Sequence, residues 1–459
     1  MNNNKGAPVG APFRTLRYCA QRGESRAFTQ RAQRSVFTAS AAKRFHSERQ
    51  RAYSHKFSRV TDHIHKGTPE FRATTLGMFS AGFATFALLY CVQPLMPVFA
   101  REFGVSAAAS SLPLSLTTGF LAPAMIVAGT FSEARGRTQM MVGSLLASAV
   151  LTLLSAFAPR WGVLLVLRTL AGITFAGLPA VSMAYLSEEI HPTSIGLAMG
   201  LAIGGNGLGG MIGRLLTALI ADVLSWRYAL GAIGLIGIAA AIIAWKTLPP
   251  SRHFTARRLQ AGTLYQLFST QLRNPRLVGL YALGFLLMGA FVTTYNYITY
   301  HLLAPPYQLS HTVVGFIFVV YLVGIFASAW IGSLADRVGR ARVLFMMVGI
   351  MLLGIGLTVL RPLILVVFGI AVVTFGFFGA HSVASSWVGL RAHQAKAQAA
   401  ALYLFFYYLG SSLAGSAGGV FWDMAGWRGV AGFVAALLVV ALSIALVTAR
   451  AEPAPMSAS

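Results

Sequence analysis

Two arginines and a histidine stand inside stretches of sequence otherwise suited to hydrocarbon: Arg168, Arg214 and His381. An ionisable group in such a setting is costly and is kept for a function or a partner. A guanidinium offers a planar pair of donors that matches a carboxylate or a phosphate. An imidazole titrates near neutrality, so His381 suits proton exchange. Gln93, Asn206 and Asn296 add amides in similar surroundings. At a helical rise of ~1.5 Å per residue, both arginines lie roughly 9 Å to one side of the midplane, with Gln93 at similar depth. Arg214 follows Asn206 by about two turns, so both can face one cavity. The acids tell as much by position: Glu188, Glu189, Asp222, Asp336 and Asp423 all fall near the ends of apolar runs, and none lies near a middle. A lipophilic cation would need a buried acid. Arginine and amides favour an anionic or polar neutral ligand instead. Each residue also has a structural reading. The arginines can belong to internal hydrogen-bond networks, His381 can be a bonded core histidine, and Asn296 can pack with Tyr295, Tyr297, Tyr403, Tyr407 and Tyr408.

A second chemistry is written twice. Gly129-Thr-Phe-Ser-Glu133-Ala-Arg-Gly136-Arg137 recurs as Gly332-Ser-Leu-Ala-Asp336-Arg337-Val-Gly339-Arg340. Each copy fills a short polar gap between two apolar runs. An acid and an arginine at fixed spacing can pair across a gate and then release; alternatively they only enforce topology. Gly205, Gly209, Gly210 and Gly213 form a row of small residues that lets a neighbouring backbone approach closely. Gly410-Ser-Ser-Leu-Ala-Gly415 echoes that row, and Trp226-Arg227 is echoed by Trp427-Arg428. Loop cassette, glycine-rich run and Trp-Arg pair recur in one order. Such a pattern marks parallel repeats related by an axis along a membrane normal.

The elements that must position these residues follow from composition. Hydrophobic residues make up 56 % of the 459 and charged ones 10 %, where a soluble domain carries about a quarter charged. Twelve apolar runs, at 75–98, 107–128, 139–158, 161–186, 194–221, 227–247, 277–302, 312–333, 342–360, 363–388, 398–421 and 428–449, are each long enough to cross a bilayer as a helix. A barrel would alternate polar and apolar in short segments, which is not seen. The expected fold is an all-α membrane protein of two six-helix, pseudo-symmetric bundles, 73–247 and 277–450. A linker at 248–276 joins them, with a basic disordered tail at 1–72 and a short tail at 451–459. Residues 1–72 read as a solvated cytoplasmic tail or sequence upstream of a misassigned start, as a transit peptide, or as an anionic-lipid anchor.

Arg135, Arg137, Lys246, Arg273, Arg337, Arg340 and Arg391 flank one side of the runs, against only Arg101, Arg160, Arg227, Arg361 and Arg428 on the other. That asymmetry places both termini in the cytoplasm. The net charge of +24 is therefore a topology signal, with no nucleic-acid recognition motif behind it. Cys19 and Cys91 form no framework, no metal or cofactor motif is present, and the sequence lacks HExxH, GxSxG and GxxxxGK[ST]. A solute transporter fits best. A membrane-embedded enzyme and a non-transporting sensor are the competing classes.

The cassette Gly332 to Arg340 resembles the loop signature G-x-L-A-D-R-x-G-R of the major facilitator superfamily. The first copy departs from it, with Glu133 at the acid, Ala134 at the usual arginine and Thr138 at the last base. Leu167-Arg168-Thr169-Leu170-Ala171-Gly172 resembles the family's fourth-helix motif. Gly205-Asn206-Gly-Leu-Gly209-Gly210 resembles the fifth-helix motif of proton-driven exporters, with Asn206 in place of proline, so that helix is expected to be straighter. Leu89 to Pro97, Tyr185 to Pro192, Gly209 to Arg214 and Gly379 to Trp387 are similar to the YnfM-like, arabinose-efflux-permease-type subgroup of bacterial inner-membrane transporters, which is related to drug:proton antiporters. The resemblance covers residues 68–450. It implies alternating access, with protons as coupling ion, a small-molecule solute, efflux with uptake as the alternative direction, and a monomer in the cytoplasmic membrane. It also implies gating by Asp336 and Glu133 and a role for the glycine row between the two halves.

Overall fold

The computed structural model describes residues 63–253, 261–392 and 395–450, apart from the side chains of 133–135, 261, 263, 264, 449 and 450. The first half comprises α1 (Pro69–Phe103), α2 (Leu112–Ser132), α3 (Arg137–Ser155), α4 (Trp161–Glu189), α5 (Ile195–Val223) and α6 (Trp226–Thr247). The second half comprises α7 (Pro275–Leu303), α8 (His311–Val338), α9 (Arg340–Leu357) and α10 (Leu363–Arg391), then one long stretch, Lys396–Thr448. That stretch is two crossings. Ala425 (φ −145°) and Gly426 (φ +57°) leave the helical region, and the left-handed φ is one glycine adopts without steric cost. The break separates α11 (396–424) from α12 (427–450), so the eleven apolar stretches make twelve spans in two six-helix halves.

The start of α1 differs from expectation. It begins at Pro69, capped by the Thr68 hydroxyl, which accepts from Phe71 N, and not at 75. The polar residues before the apolar window are helical because the cap and the N1 proline favour initiation there. Residues 63–68, expected within a disordered tail, dock instead on the α4–α5 loop. Ile64 N donates to Glu189 O (2.8 Å) and His191 N donates to Ile64 O (3.1 Å). The rest of the tail, 1–62, lies outside the described residues, as do 254–260 of the linker and 451–459. The described part of the linker includes a short helix, Ala261–Leu272.

Glycine sets the closest packing. A Cβ on Gly205 would sit 2.6 Å from Phe79 O and one on Gly213 2.5 Å from Ala87 Cα, while Gly209 presses on Phe83 O. These three residues, one turn apart, seat α5 on α1 inside the first half. The row therefore faces its own bundle. Of the glycines in α5, Gly207 meets the second half, at Ile325 of α8. Gly410 repeats the contact on Phe285 O, seating α11 on α7. As expected without the proline, α5 is one unbroken helix of 29 residues.

Candidate functional site

α1 is interrupted where Pro94 and Pro97 remove two backbone donors, and a 3-10 turn, Gln93–Leu95, fills the break. This exposes carbonyls and aims Gln93 across the interface. Its Nε2 donates to Asn296 Oδ1 of α7 (2.7 Å), and its Oε1 accepts from Arg214 Nε of α5 (2.5 Å). Asn296 Nδ2 then donates to Gly415 O on α11 (3.3 Å). Gln93, Arg214 and Asn296 are at most 2 % exposed. Three of the residues selected from sequence thus form one chain of bonds from the first half to the second.

Arg214 is held by protein groups on two of its three nitrogens. One terminal nitrogen donates to Gly210 O (2.6 Å), and the group lies 4.1 Å from the Tyr90 ring and 4.7 Å from the Tyr321 ring. Its other terminal nitrogen makes no hydrogen bond among the described residues, and no acid pairs with it there. Arg168 is arranged differently. Its nitrogens donate to Leu89 O (3.0 Å), Leu88 O (3.3 Å), Pro113 O (3.4 Å) and Thr152 Oγ1 (3.4 Å). It satisfies the carbonyls freed at the break in α1 and does not join the Gln93 chain.

His381 Nδ1 pairs with the Tyr403 hydroxyl (2.9 Å), and its ring lies against Tyr407 (4.7 Å) and parallel to Phe377. Phe377 stacks on Phe291 (3.8 Å), and Phe291 meets Tyr321, the ring beneath Arg214. An aromatic file therefore links His381 to Arg214. Tyr295 and Tyr297 are fully buried and bonded to Thr374 Oγ1 and Gly415 O, so they pack and do not line a cavity. Asn206 stands apart, against Gly82 of α1.

The two cassettes have parallel backbones. Gly136 (φ +100°) and Gly339 (φ +101°) turn the chain between α2 and α3 and between α8 and α9, a conformation open to glycine and strained for other residues. Gly129 and Gly332 lie a few residues before these turns. The charges differ. Arg137 makes a bidentate pair with Glu188 at the end of α4 (2.6 and 2.5 Å). Among the described residues Asp336, 63 % exposed, pairs with Arg340 of its own loop, and Arg337 is exposed. The Glu133 side chain lies outside the described residues. Glu188 was missed as a functional partner. Its signal was legible: an acid at a helix end, near a cassette that ends in Arg137. Glu189 beside it is buried and accepts from Arg252 N (2.6 Å) and His253 N (3.1 Å), fixing the start of the linker.

Several side-chain hydrogen bonds join the halves in the part of the molecule away from the linker. Beside Gln93–Asn296 these are Ser110–Tyr300 (2.6 Å), Ser111–Ser416 (3.1 Å), Ser412–Ser115 O (2.7 Å), Arg101–His311 (3.2 Å) and Asp222–Thr312 (2.6 Å). Asp222 also accepts from Thr312 N (3.1 Å) at the first turn of α8, where a carboxylate meets the positive end of the helix. These bonds latch the halves at this distal end.

Such a fold, with a polar centre crossed by one hydrogen-bonded chain, defines a membrane transporter. The chain belongs to the Major Facilitator Superfamily, whose model matches residues 78–415 and 299–459. It is 50 % identical to an uncharacterized MFS-type transporter, YybF of Bacillus subtilis, over 86 % of this chain and 97 % of that one. It is 48 % identical to the inner membrane transport protein YnfM of Escherichia coli, over 84 % of this chain and 93 % of that one. A solved bacterial homolog of the human lysosomal transporter Spinster, inward-facing and occupied, has the same fold, with a TM-score of 0.68 at 14 % identity over 84 % of this chain and 98 % of that one. These relatives make the chain a multi-pass membrane transporter and not an enzyme.

Proposed function

We propose that this transporter exports a small anionic or polar neutral solute in exchange for protons, by alternating access across a bacterial cytoplasmic membrane, as a monomer. The linker end and both termini face the cytoplasm, on the lysine and arginine asymmetry of the loops. The inner membrane is the location given in the name of the Escherichia coli relative. In this arrangement the distal end is latched and solute enters from the linker side.

The observation that carries the reading is Arg214, a buried guanidinium with one free donor and no acid, bonded to the amide that crosses the interface. A carboxylate or phosphate arriving there takes the free donor and competes with Gln93 for the fork. Loss of Gln93 from Arg214 loosens the Gln93–Asn296 crossing, and with it the distal latch. Binding is thereby coupled to opening. His381 exchanges the proton, connected to the same centre through the aromatic file. Arg168 keeps the break in α1 in shape. Asp336, Arg340, Arg137 and Glu188 re-pair when the linker end closes.

The test is flux in proteoliposomes under an imposed pH gradient, with small carboxylates and phosphates first selected by thermal shift. Uphill movement that collapses with a protonophore, and reverses with the gradient, supports proton exchange. Transport of organic cations alone, or flux indifferent to the gradient, would sink the proposal.

A further inference from the structure

The repeat leaves one site filled in the first half and open in the second. At the end of α1, the Glu102 carboxylate accepts from Trp226 Nε1 and from Arg227 (2.6 Å), and Arg227 lies 4.2 Å over the Trp226 ring. The Trp-Arg pair that starts α6 therefore holds one carboxylate, supplied by the chain. The equivalent pair, Trp427-Arg428, starts α12. No Asp or Glu occurs from Tyr300 to Gln308, where α7 ends. In place of the carboxylate there is a cleft of about 570 Å³, lined by His301, Tyr307, Arg361, Trp422, Trp427 and Arg428.

Its walls are fixed. The buried Trp427 ring stacks on His301 (5.2 Å, 9°), and its Nε1 donates to Thr358 O (3.0 Å). The Tyr307 hydroxyl donates to Arg361 O (2.7 Å). Among the described residues neither Arg361 nor Arg428 has an ion pair, and Asp423, an acid nearby in sequence, does not line the cleft. Two unneutralised guanidiniums and two indoles thus border a space large enough for a small molecule. The cleft opens at the distal end, where aromatic residues meet the headgroup layer.

We infer that this cleft is an oxyanion site, taking the carboxylate or phosphate that the second half does not supply for itself. The oxyanion sits between Arg361 and Arg428, with the attached group on the indole side. A soluble anion and an anionic lipid headgroup share this chemistry. The site is independent of Arg214 and of transport, so its test needs no flux.

Full-length protein in detergent is titrated with inorganic phosphate and with benzoate, following tryptophan fluorescence. The same protein in nanodiscs of mixed phosphatidylglycerol and phosphatidylcholine is examined by native mass spectrometry for retained lipid. The expected result is saturable binding weakened about tenfold in R361Q/R428Q and unchanged in R160Q, which removes a distal arginine outside the cleft. If the double variant does not fold, R361Q and R428Q singly should each weaken binding about threefold. Loss of phosphate and benzoate binding with lipid retention unchanged assigns a soluble anion. Loss of retained phosphatidylglycerol assigns a headgroup. No binding by wild type in either arm, or equal binding by wild type and R361Q/R428Q in both, would overturn the site.

Discussion

Replacing Arg214 by lysine keeps one positive charge and removes the fork, so it separates charge from geometry. In the wild type, Nε serves Gln93 at 2.5 Å, one terminal nitrogen serves Gly210 O at 2.6 Å, and the other is left for a ligand. An ammonium concentrates its donors at one point and cannot reach all three partners in one plane. One charge-assisted hydrogen bond is then lost, worth ~1.5–3 kcal/mol. That is about a 10- to 150-fold loss of apparent solute affinity. The rings of Tyr90 and Tyr321 add ~0.5–2 kcal/mol of cation–π attraction, which an ammonium partly retains, so they do not decide the outcome. Arg168→Lys is the comparison. All of its partners are protein groups, so its loss should lower the melting temperature and membrane abundance and leave affinity per molecule unchanged. The assay is concentration-dependent flux in proteoliposomes, with thermal unfolding of each variant. Equal affinity in wild type and Arg214→Lys would refute the ligand role. An affinity loss in Arg168→Lys at full stability would reverse the two assignments.

Asp336→Asn should reduce flux about tenfold or more while stability falls by ~0.5 kcal/mol or less, because the Arg340 pair it breaks is exposed; normal flux at normal abundance would leave the cassette a topology signal. Gly209→Ala should lower the melting temperature by several degrees, since overpacking against Phe83 O costs ~1–3 kcal/mol, whereas Gly204→Ala, which meets nothing within 4 Å, should not. His381→Ala should alter the pH dependence of flux, and an unchanged profile would make its bond to Tyr403 purely structural. Cysteines placed near residues 253 and 307 should react from the cytoplasm and from outside respectively; the reverse pattern would invert the proposed orientation.

Much of the architecture was legible because hydrocarbon leaves the backbone few choices. The twelve runs, the break between α11 and α12, and the repeated order of motifs are all written locally. The start of α1 was misjudged because hydropathy outweighed a legible cap at Thr68-Pro69. Candidate site residues were found as polar groups in apolar runs, but their grouping was not. Gln93 and Asn296 are 203 positions apart, and only packing brings them together. Arg168 and Arg214 share a residue type and a depth, yet one meets freed carbonyls and the other an amide and two tyrosines. That difference belongs to neighbouring helices, which a single sequence does not place. The glycine row meets α1 of its own half, a partner that spacing alone does not identify.

The repeat itself shows where function departs from scaffold. With Gly205 matched to Gly410, the carbonyl of Gly210 corresponds to that of Gly415. The first accepts from Arg214 and the second from Asn296. Equivalent backbone oxygens thus anchor the two ends of one hydrogen-bonded chain, with Gln93 between them. The counterpart of Arg214 in the second half is Gly419, pressed against Ala108 of the first half and near the Tyr297 hydroxyl. Where the halves agree, glycine brings backbones together. Where they differ, a charge is left over: Arg214 at the centre, and Arg361 with Arg428 at the distal cleft. A duplicated fold can keep such unbalanced cations only if water, a lipid or a solute completes them. The asymmetry between the halves therefore locates the ligand chemistry more sharply than either half does alone.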